Sequence, residues 1–557
     1  MSNPKNNNGD SWGSQLGVVL AVAGCAVGLG NFLRFPGQVA NNGGGAFMIP
    51  YLVALLVVAV PIAMSEWALG RYAGRCGFHS PAGAYYVAGG RKARWGIIGG
   101  LTTCAPFVVS MYYVFIEAWC LVYAAQYLGG LLGYAGHGFT LFQGVEPGVF
   151  FESGEGYEGF FNQLVGIEKD GTLFRSAGHA MIGATFVCVL ANFLLVFKGV
   201  SRGIERFCKA AAPLILVCAI AVIIRVVTLG NPTGAEGQSF LDGLGFMWNP
   251  TREIVDAAGE TTRTNVFDAL LDANVWLAAT SQIFFSISIC LGAVCTYASY
   301  VKPRGDVALS SLMATSVNEL CEVGLGGLMT IPAAIMFLGA RAADGFASSF
   351  SLGFIVLPNV FGLMPLGQFW GFVFFFLLLL AAVTSSISML QPTVALLQES
   401  LRWTREQSAS AASTFSAIGT LIICWFTFHL GALDVFDFWV ANFLPLLTAF
   451  LQTALILFVW GVPALKYELA LGARVKPPKI AVAILRWVSL PYLALVVLLW
   501  LKQNMFSRVA EIAQSQVAQI SLGFMGLSFA IIIALVFVLI RRWNNAPPTA
   551  TDAEKNL

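Results

Sequence analysis

Charge is what this sequence has least of. Lys and Arg number 31 and Asp and Glu 29 in 557 residues, together 11% of the chain, where a soluble domain carries about a quarter. So few charges cannot solvate the surface of a water-soluble protein of this length. A net charge of +2 also lacks the basic footprint of a nucleic-acid binder. Disorder is excluded by the opposite abundance: 57% of residues are hydrophobic and the mean hydropathy is +0.75. With only four histidines, no His/Cys cluster at zinc spacing occurs. Gly43-Gly44-Gly45 lacks the Lys-Ser/Thr of a phosphate loop, and no nucleophile–base set marks an enzyme. The Asn-rich start has no basic region followed by a short apolar core and cleavage site, so no cleavable signal peptide is expected. The 11 cysteines nearly all fall inside apolar runs and none lies between Leu131 and Ala177, which favours buried free thiols over extracellular disulfides. Both Asn-x-Thr triplets, at Asn231 and Asn249, contain proline and cannot be glycosylated.

Long apolar runs fill the space that charge leaves. A membrane helix needs roughly 20 mostly apolar residues, and that ruler predicts twelve spans: 15–40, 45–74, 94–130, 178–198, 200–229, 270–300, 307–339, 367–400, 405–430, 434–462, 479–504 and 516–542. The runs are continuous, whereas a membrane β-barrel would alternate, so the fold class is an all-α integral membrane protein. Lys and Arg collect in alternate loops: Arg71, Arg75, Arg91, Lys92 and Arg94, then Lys198, Arg202, Arg206 and Lys209, then Lys302 and Arg304, Arg402 and Arg405, Lys466, Arg474, Lys476 and Lys479, and Arg541 and Arg542. The loops near 131–177 and 230–269 are instead dominated by Glu146, Glu152, Glu155, Glu158, Asp242, Glu253 and Asp256. The basic side faces the cytoplasm, which predicts a multi-pass protein of the cell (inner or plasma) membrane with both termini cytoplasmic. The polar segment 543–557 reads as a disordered tail.

Two spans are not ordinary helices. The first carries Gly24, Gly28, Gly30, Asn31 and Arg34 at membrane depth, followed by Pro36. Close packing through small residues explains Gly24 and Gly28, but not Asn31 and Arg34, since an arginine in a span is costly. An unwound segment fits better: its freed carbonyls can bind a cation and its freed amides an anion. The sixth span is interrupted across Gln282–Gly292 by Ser286, Ser288 and Gly292. Serine hydroxyls that bond their own helix would account for this break taken alone. Breaks at corresponding positions in spans one and six point to an inverted-repeat transporter with a site at the membrane midplane. The organisation predicted is an N-terminal cytoplasmic segment 1–14, a first five-helix repeat 15–229, an extracellular loop 230–269, a second five-helix repeat 270–462, and helices 11 and 12 in 463–542. Oxygen-bearing residues recur at Asn318, Glu319 and Glu322 on span seven and at Thr384, Ser385 and Ser386 on span eight, and hard cations want oxygen ligands.

Gly-Asn-Phe-Leu-Arg-Phe-Pro at 30–36, Asn-Gly-Gly-Gly-Ala-Phe at 42–47, Glu-Trp-Ala-Leu-Gly-Arg at 66–71 and Gln-Ile-Phe-Phe-Ser at 282–286 resemble the neurotransmitter:sodium symporter family. The likeness covers nearly all twelve spans and is nearest to the family's bacterial amino-acid transporters of the leucine-transporter type, which have a 5+5 inverted repeat with helices 1 and 6 broken. It implies two sodium ions as cofactors. The first would use the Ala26 carbonyl, Asn31, Ser286, Asn318 and the substrate carboxylate. The second would use the Gly24, Val27 and Ala381 carbonyls with the Thr384 and Ser385 hydroxyls. The carboxylate would also meet the Leu29 and Gly30 amides and the Tyr113 hydroxyl. Around the side chain the resemblance places Val109, Phe285, Ile287, Leu291 and Met389, with Ser288, Cys290 and Ser386 beside them.

Gly28 stands where monoamine members have aspartate, so the implied substrate, a neutral amino acid, brings its own carboxylate. Leu291 stands in place of the usual phenylalanine, and with the adaptable Met389 it favours a cavity for a medium or large side chain; simple repacking is the alternative. Glu322 stands where chloride-dependent animal members usually have serine. Its carboxylate, among Tyr51, Gln282, Ser286 and Asn318, would replace chloride and could carry a proton on the return step. Arg34 and Asp437 match the outer gate over Tyr113 and Phe285, and Trp12 and Glu399 the inner gate, although Gly9 occupies the place of that gate's basic residue. The expected function is sodium-coupled, chloride-independent symport of neutral amino acids; the alternatives are a proton-coupled carrier, which Thr384 and Ser385 disfavour, and a sensor that binds without transporting. The partners implied are an amino acid, sodium ions and the lipid bilayer, with no nucleic acid. The few charges left at depth are Arg34, Glu66, Glu117, Glu319, Glu322 and Asp437, where gating, coupling or structural pairing is expected.

Overall fold

The computed structural model describes residues 12, 14–132, 156–175, 179–255, 261–264, 266–339, 349–474 and 478–544. The expected disordered tail from 545 onward, Gly9 with most of the segment 1–14, Asp256, and the loop acids Glu146, Glu152 and Glu155 lie outside these residues.

In lipid every backbone N–H and C=O must find a partner inside the protein, so long apolar runs become helices. The chain is almost entirely helical. In order come α1 (Gln15–Ala26), α2 (Gly30–Asn41), α3 (Gly44–Arg75), α4 (Pro81–Ala88), α5 (Ala93–Leu131), α6 (His179–Phe197), α7 (Val200–Leu229), α8 (Phe240–Trp248), α9 (Ala273–Ser286), α10 (Ala293–Ser299), α11 (Val307–Leu338), α12 (Gly367–Leu401), α13 (Arg405–Trp425), α14 (Phe428–Ala470), α15 (Ile480–Gln514) and α16 (Gln516–Trp543). A small antiparallel ribbon pairs Arg252–Val255 with Thr261–Thr264 in the loop before α9.

Ten of these helices are long and apolar enough to cross a membrane, and α1 with α2, bent by 46° at the break, makes an eleventh. The span expected at 270–300 is two pieces, α9 of 14 residues and α10 of 7, and neither crosses alone. Twelve is reached only by taking that pair as one broken span. The reason for the break lies in the backbone: Ser288, Cys290 and Gly292 all have positive φ (53°, 59° and 79°), which no helix continues through.

Burial separates a core from a lipid-facing shell. The most apolar stretch of α5 is 94% buried, whereas that of α6 is 28% buried and leaves Phe186, Val187, Leu190 and Leu194 facing outward. The broken pairs sit inside, α1 against α12 and α2 against α11. The second contact is backbone to backbone. A Cβ at Gly326 on α11 would overlap the Asn31 carbonyl oxygen, so only glycine lets the helices approach this closely.

On the side where basic loops collect, the buried Arg71 guanidinium pairs with Glu468 at 2.8 Å and also donates to the Gly305 and Leu471 carbonyls. Arg75 joins the same carboxylate. One charge cluster thus ties α3, the loop after α10 and the end of α14, and removing one partner of such a pair leaves a costly lone charge.

Gly326→Ala is expected to lower the thermal unfolding midpoint, at a cost of about 1–3 kcal/mol, while Gly324→Ala, whose Cβ would meet only the flexible Leu320 side chain, should leave it unchanged. Differential scanning fluorimetry of the purified proteins checks the contrast.

Candidate functional site

Both breaks open onto one central cavity. α1 stops at Ala26 because Val27 turns extended (ψ 96°), leaving the helix's last carbonyls without intrahelical partners. The Asn31 side chain closes the gap by accepting from the Gly28 N–H at 2.8 Å. Across the cavity the Cys25 carbonyl accepts from the Ser288 hydroxyl (3.3 Å) and the Ser385 hydroxyl (3.2 Å), so the two breaks and α12 are stitched at one atom. Glu66 on α3 secures the second break. Its carboxylate takes the Cys290 N–H at 2.7 Å and the Cys295 N–H at 3.3 Å, a negative charge at the positive end of α10.

The cavity measures about 20 Å³, room for a water rather than for an amino-acid side chain. Ala26, Gly30, Val109, Tyr113, Phe285, Ser286, Ser288, Leu291 and Met389 line it as expected, joined by Cys25, Gly28, Ser385 and Ala441. Four expected residues, Leu29, Ile287, Cys290 and Ser386, do not reach it. Leu29 faces the site only through its amide, which donates to the Tyr113 hydroxyl at 3.2 Å. Ile287, at the turn that ends α9, belongs to the buried cluster that holds Phe284 and Ile289. Ser386 turns its hydroxyl away, to Glu117 and Asn192 at 2.7 Å each, because a helix sends consecutive side chains in different directions. A Cβ at Gly28 would lie 2.6 Å from the Ser385 hydroxyl oxygen and 2.8 Å from that of Tyr113, so no aspartate fits there as the helices stand.

Beside the cavity lies a fully buried polar cluster. The Asn31 amide donates to the Asn318 side chain at 2.8 Å and approaches Glu322 at 3.3 Å, and the Asn318 amide donates to Ser286 at 2.7 Å. Glu322 collects Gln282 at 2.7 Å and the Ser286 hydroxyl. Tyr51 lies beside Glu322 as expected and donates to Glu319 at 2.8 Å, which gives that second carboxylate a partner the sequence did not suggest. A second oxygen group forms where α1 ends: Thr384 donates to the Ala381 carbonyl at 3.0 Å and packs against Gly24. Hydroxyls, amide oxygens and free carbonyls are hard donors at a helix C-terminus, chemistry that suits a small monovalent cation.

Arg34 and Asp437, expected as an outer gate, are joined by a relay rather than paired directly. Arg34 stacks over Phe285 at 4.5 Å and donates to Ser281 at 3.2 Å and to Asn442 at 2.8 Å. The Asn442 amide donates in turn to Asp437 at 2.9 Å, whose other oxygen accepts from Tyr112 at 2.7 Å. Asn442 and Tyr112 escaped the sequence reading; Asn442 is a lone polar residue five positions after Asp437 in an apolar run, the one signal available. Outside the relay a recess of about 320 Å³ opens between Arg34, Asp437, Asp434 and Arg508. At the inner end the Trp12 indole donates to the Tyr297 carbonyl at 2.9 Å. Glu399 meets no basic partner among the described residues. It accepts from the Ser80 amide at 2.8 Å and the Ser80 hydroxyl at 2.6 Å, as well as from the His79 amide, and so holds Ser80, which caps α4 by accepting from the Gly83 N–H.

A family model described as the sodium:neurotransmitter symporter family matches residues 9–144 and 257–544 of the chain. An uncharacterized sodium-dependent transporter of Methanocaldococcus jannaschii is 28% identical over 463 residues, 81% of this chain and 82% of that protein. The sodium- and chloride-dependent taurine transporter of Bos taurus is 26% identical over 486 residues, 81% of this chain and 72% of its own. Among solved structures, MhsT in complex with L-phenylalanine is similar with a TM-score of 0.71 and 27% identity, over 88% of this chain and 99% of that one.

Asn442→Ala removes the middle of the outer relay and leaves Arg34 and Asp437 each short of a partner, an expected loss of about 1–3 kcal/mol. Asn442→Gln, which keeps the amide, should recover part of it. Thermal unfolding of the two variants beside the parent protein measures both values.

Proposed function

Since the chain belongs to the sodium:neurotransmitter symporter family, we propose that it carries neutral, hydrophobic amino acids into the cell together with two sodium ions, without chloride, by alternating access. It is a sodium-coupled transporter of the membrane and not an enzyme. The observation that carries the finer reading is the buried cluster of Asn31, Ser286, Asn318 and Glu322 against the cavity. In this reading Asn31, Ser286, Asn318 and the Ala26 carbonyl hold the first sodium. The carbonyls of Gly24, Val27 and Ala381 with the hydroxyls of Thr384 and Ser385 hold the second.

The substrate carboxylate completes the first ion's shell and takes the Leu29 and Gly30 amides and the Tyr113 hydroxyl. A direct ion–carboxylate contact makes each ligand raise the other's affinity by the same factor. Gly28 supports a substrate that supplies this carboxylate itself, because an aspartate there would collide with Ser385 and Tyr113. The apolar lining, with Val109, Phe285, Leu291 and Met389, supports a hydrophobic side chain, and MhsT was solved with L-phenylalanine. Seating such a side chain requires Phe285, Leu291 and Met389 to move, since the closed cavity is about 20 Å³. Arg34, Asn442 and Asp437 close the outer path, and Trp12 the inner one. Both termini face the cytoplasm, on the side where Arg71, Arg75 and Glu468 tie α3, the loop after α10 and the end of α14.

Glu322 supplies the negative charge that a chloride ion would otherwise bring, with Gln282 and Ser286 as its donors, and exchanges a proton on the return step. In proteoliposomes an inward sodium gradient is expected to drive phenylalanine or leucine accumulation in chloride-free buffer, with the lumen turning alkaline as protons leave. Accumulation that ignores sodium would mean a proton-coupled carrier, and sodium-dependent binding without uptake a sensor. Glu322→Ser is expected to abolish the proton signal and make uptake require chloride. Uptake by that variant undiminished in gluconate buffer overturns the chloride assignment.

A further inference from the structure

Glu117 on α5, Asn192 on α6 and Ser386 on α12 meet in the interior, none more than 2% exposed. The Asn192 amide nitrogen lies 3.0 Å from the Cys188 carbonyl, which can only accept, and 3.1 and 3.0 Å from the two Glu117 oxygens. Turning the amide over would set carbonyl oxygen against carbonyl oxygen, so its orientation is determined by its surroundings. The atom facing Ser386 at 2.7 Å is therefore the amide oxygen. The same Ser386 hydroxyl lies 2.7 Å from Glu117 Oε2, and the Val383 carbonyl is farther, at 3.1 Å.

One hydroxyl proton cannot serve two short oxygen–oxygen contacts. With Glu117 ionised, one contact would be acceptor against acceptor, in surroundings where an unmade hydrogen bond costs about 1–3 kcal/mol. Adding one proton settles the count, because the acid then donates to Ser386 and Ser386 donates to Asn192. No ion pair among the described residues offers a counter-charge. The titratable groups that face Glu117 are Cys120 and Tyr113 on its own helix and Cys188 on α6, while α12 presents hydroxyls.

We propose that Glu117 is a proton-binding site and that its bound proton positions the second sodium site. Locked by the acid on one side, Ser386 holds the turn of α12 that aims Thr384 and Ser385 at the end of α1. Glu117 touches no ion; it is a positioning residue, and its role rests on the sodium reading given above.

Two measurements separate the claims. In infrared spectra of the protein near neutral pH, the parent minus Glu117→Gln difference should contain the carbonyl stretch of a protonated carboxylic acid, shifted in D2O. If no such band is lost, the proton assignment fails. Glutamine keeps an N–H to Ser386 and, in place of Oε1, an oxygen for the Asn192 amide, giving up only the second Asn192 contact at Oε2. Glu117→Gln should therefore keep the sodium half-saturation of thermal stabilisation within about twofold of the parent. Glu117→Ala and Ser386→Ala should raise it about tenfold or more, as loss of an outer-shell partner does at metal sites. Should Glu117→Gln shift as far as Glu117→Ala, or neither alanine variant shift, the positioning role is wrong. A parent protein that sodium does not stabilise at all defeats the sodium reading and this role with it, while the infrared band still decides the proton.

Discussion

The structure depends on one requirement: in a bilayer interior, each backbone group that leaves a helix must be met by the protein itself. Two helices are broken at the centre of this molecule, and much of the surrounding polar chemistry answers those breaks. The Gly28 amide is met by Asn31, the Cys25 carbonyl by Ser288 and Ser385, and the amides of Cys290 and Cys295 by Glu66. Left unmade, each would cost about 1–3 kcal/mol, and a few such losses would equal the net stability of an ordinary domain. The charges and amides that composition made scarce are thus concentrated where the backbone is irregular.

The same irregularity is what makes a site. An intact helix has no carbonyls to offer an ion, whereas the end of α1 has several, and that of Cys25 already meets the Ser385 hydroxyl of α12 and the Ser288 hydroxyl of the second break. The α1–α2 and α9–α10 pairs are each broken near their midpoints, and in the proposed cycle the halves on either side tilt separately while the centre stays bonded. The outer halves are joined by Arg34, Ser281 and Asn442, and the inner halves by Trp12 against Tyr297. Alternating access in the proposed cycle needs these two closures to be weaker than the central bonding.

Residue types in the wrong place were the readable signals. Asn31 and Arg34 in an apolar run, followed by Pro36, marked the first break, and Ser286, Ser288 and Gly292 the second. Span limits came close wherever periodicity was unbroken: 94–130 against Ala93–Leu131, 178–198 against His179–Phe197, and 367–400 against Gly367–Leu401. They ran short where kinked pieces extend a span, as with 434–462 against Phe428–Ala470, which turns at His429 and Leu430 and again at Gly461, all with positive φ. Asn442 as the link between Arg34 and Asp437, Asn192 as the partner of Glu117, and Glu399 as the partner of Ser80 were not legible, since each depends on a residue tens to hundreds of positions away.

Composition and local pattern by themselves determined the solvent, the helical class and the two breaks, and marked the oxygen-bearing residues at depth, because hydropathy and backbone propensity act over a turn or two of chain. The family motifs added which of those residues to set against one another. Only the tertiary structure decided the contacts. It turned Ser386 to Glu117 instead of the cavity, inserted Asn442 between the gate charges, and closed the central cavity to about 20 Å³. The physical reason is that a hydrogen bond between helices requires a rotation and a register for both. Those are settled by packing, as where the bare Gly326 admits the Asn31 carbonyl, and not by either segment alone.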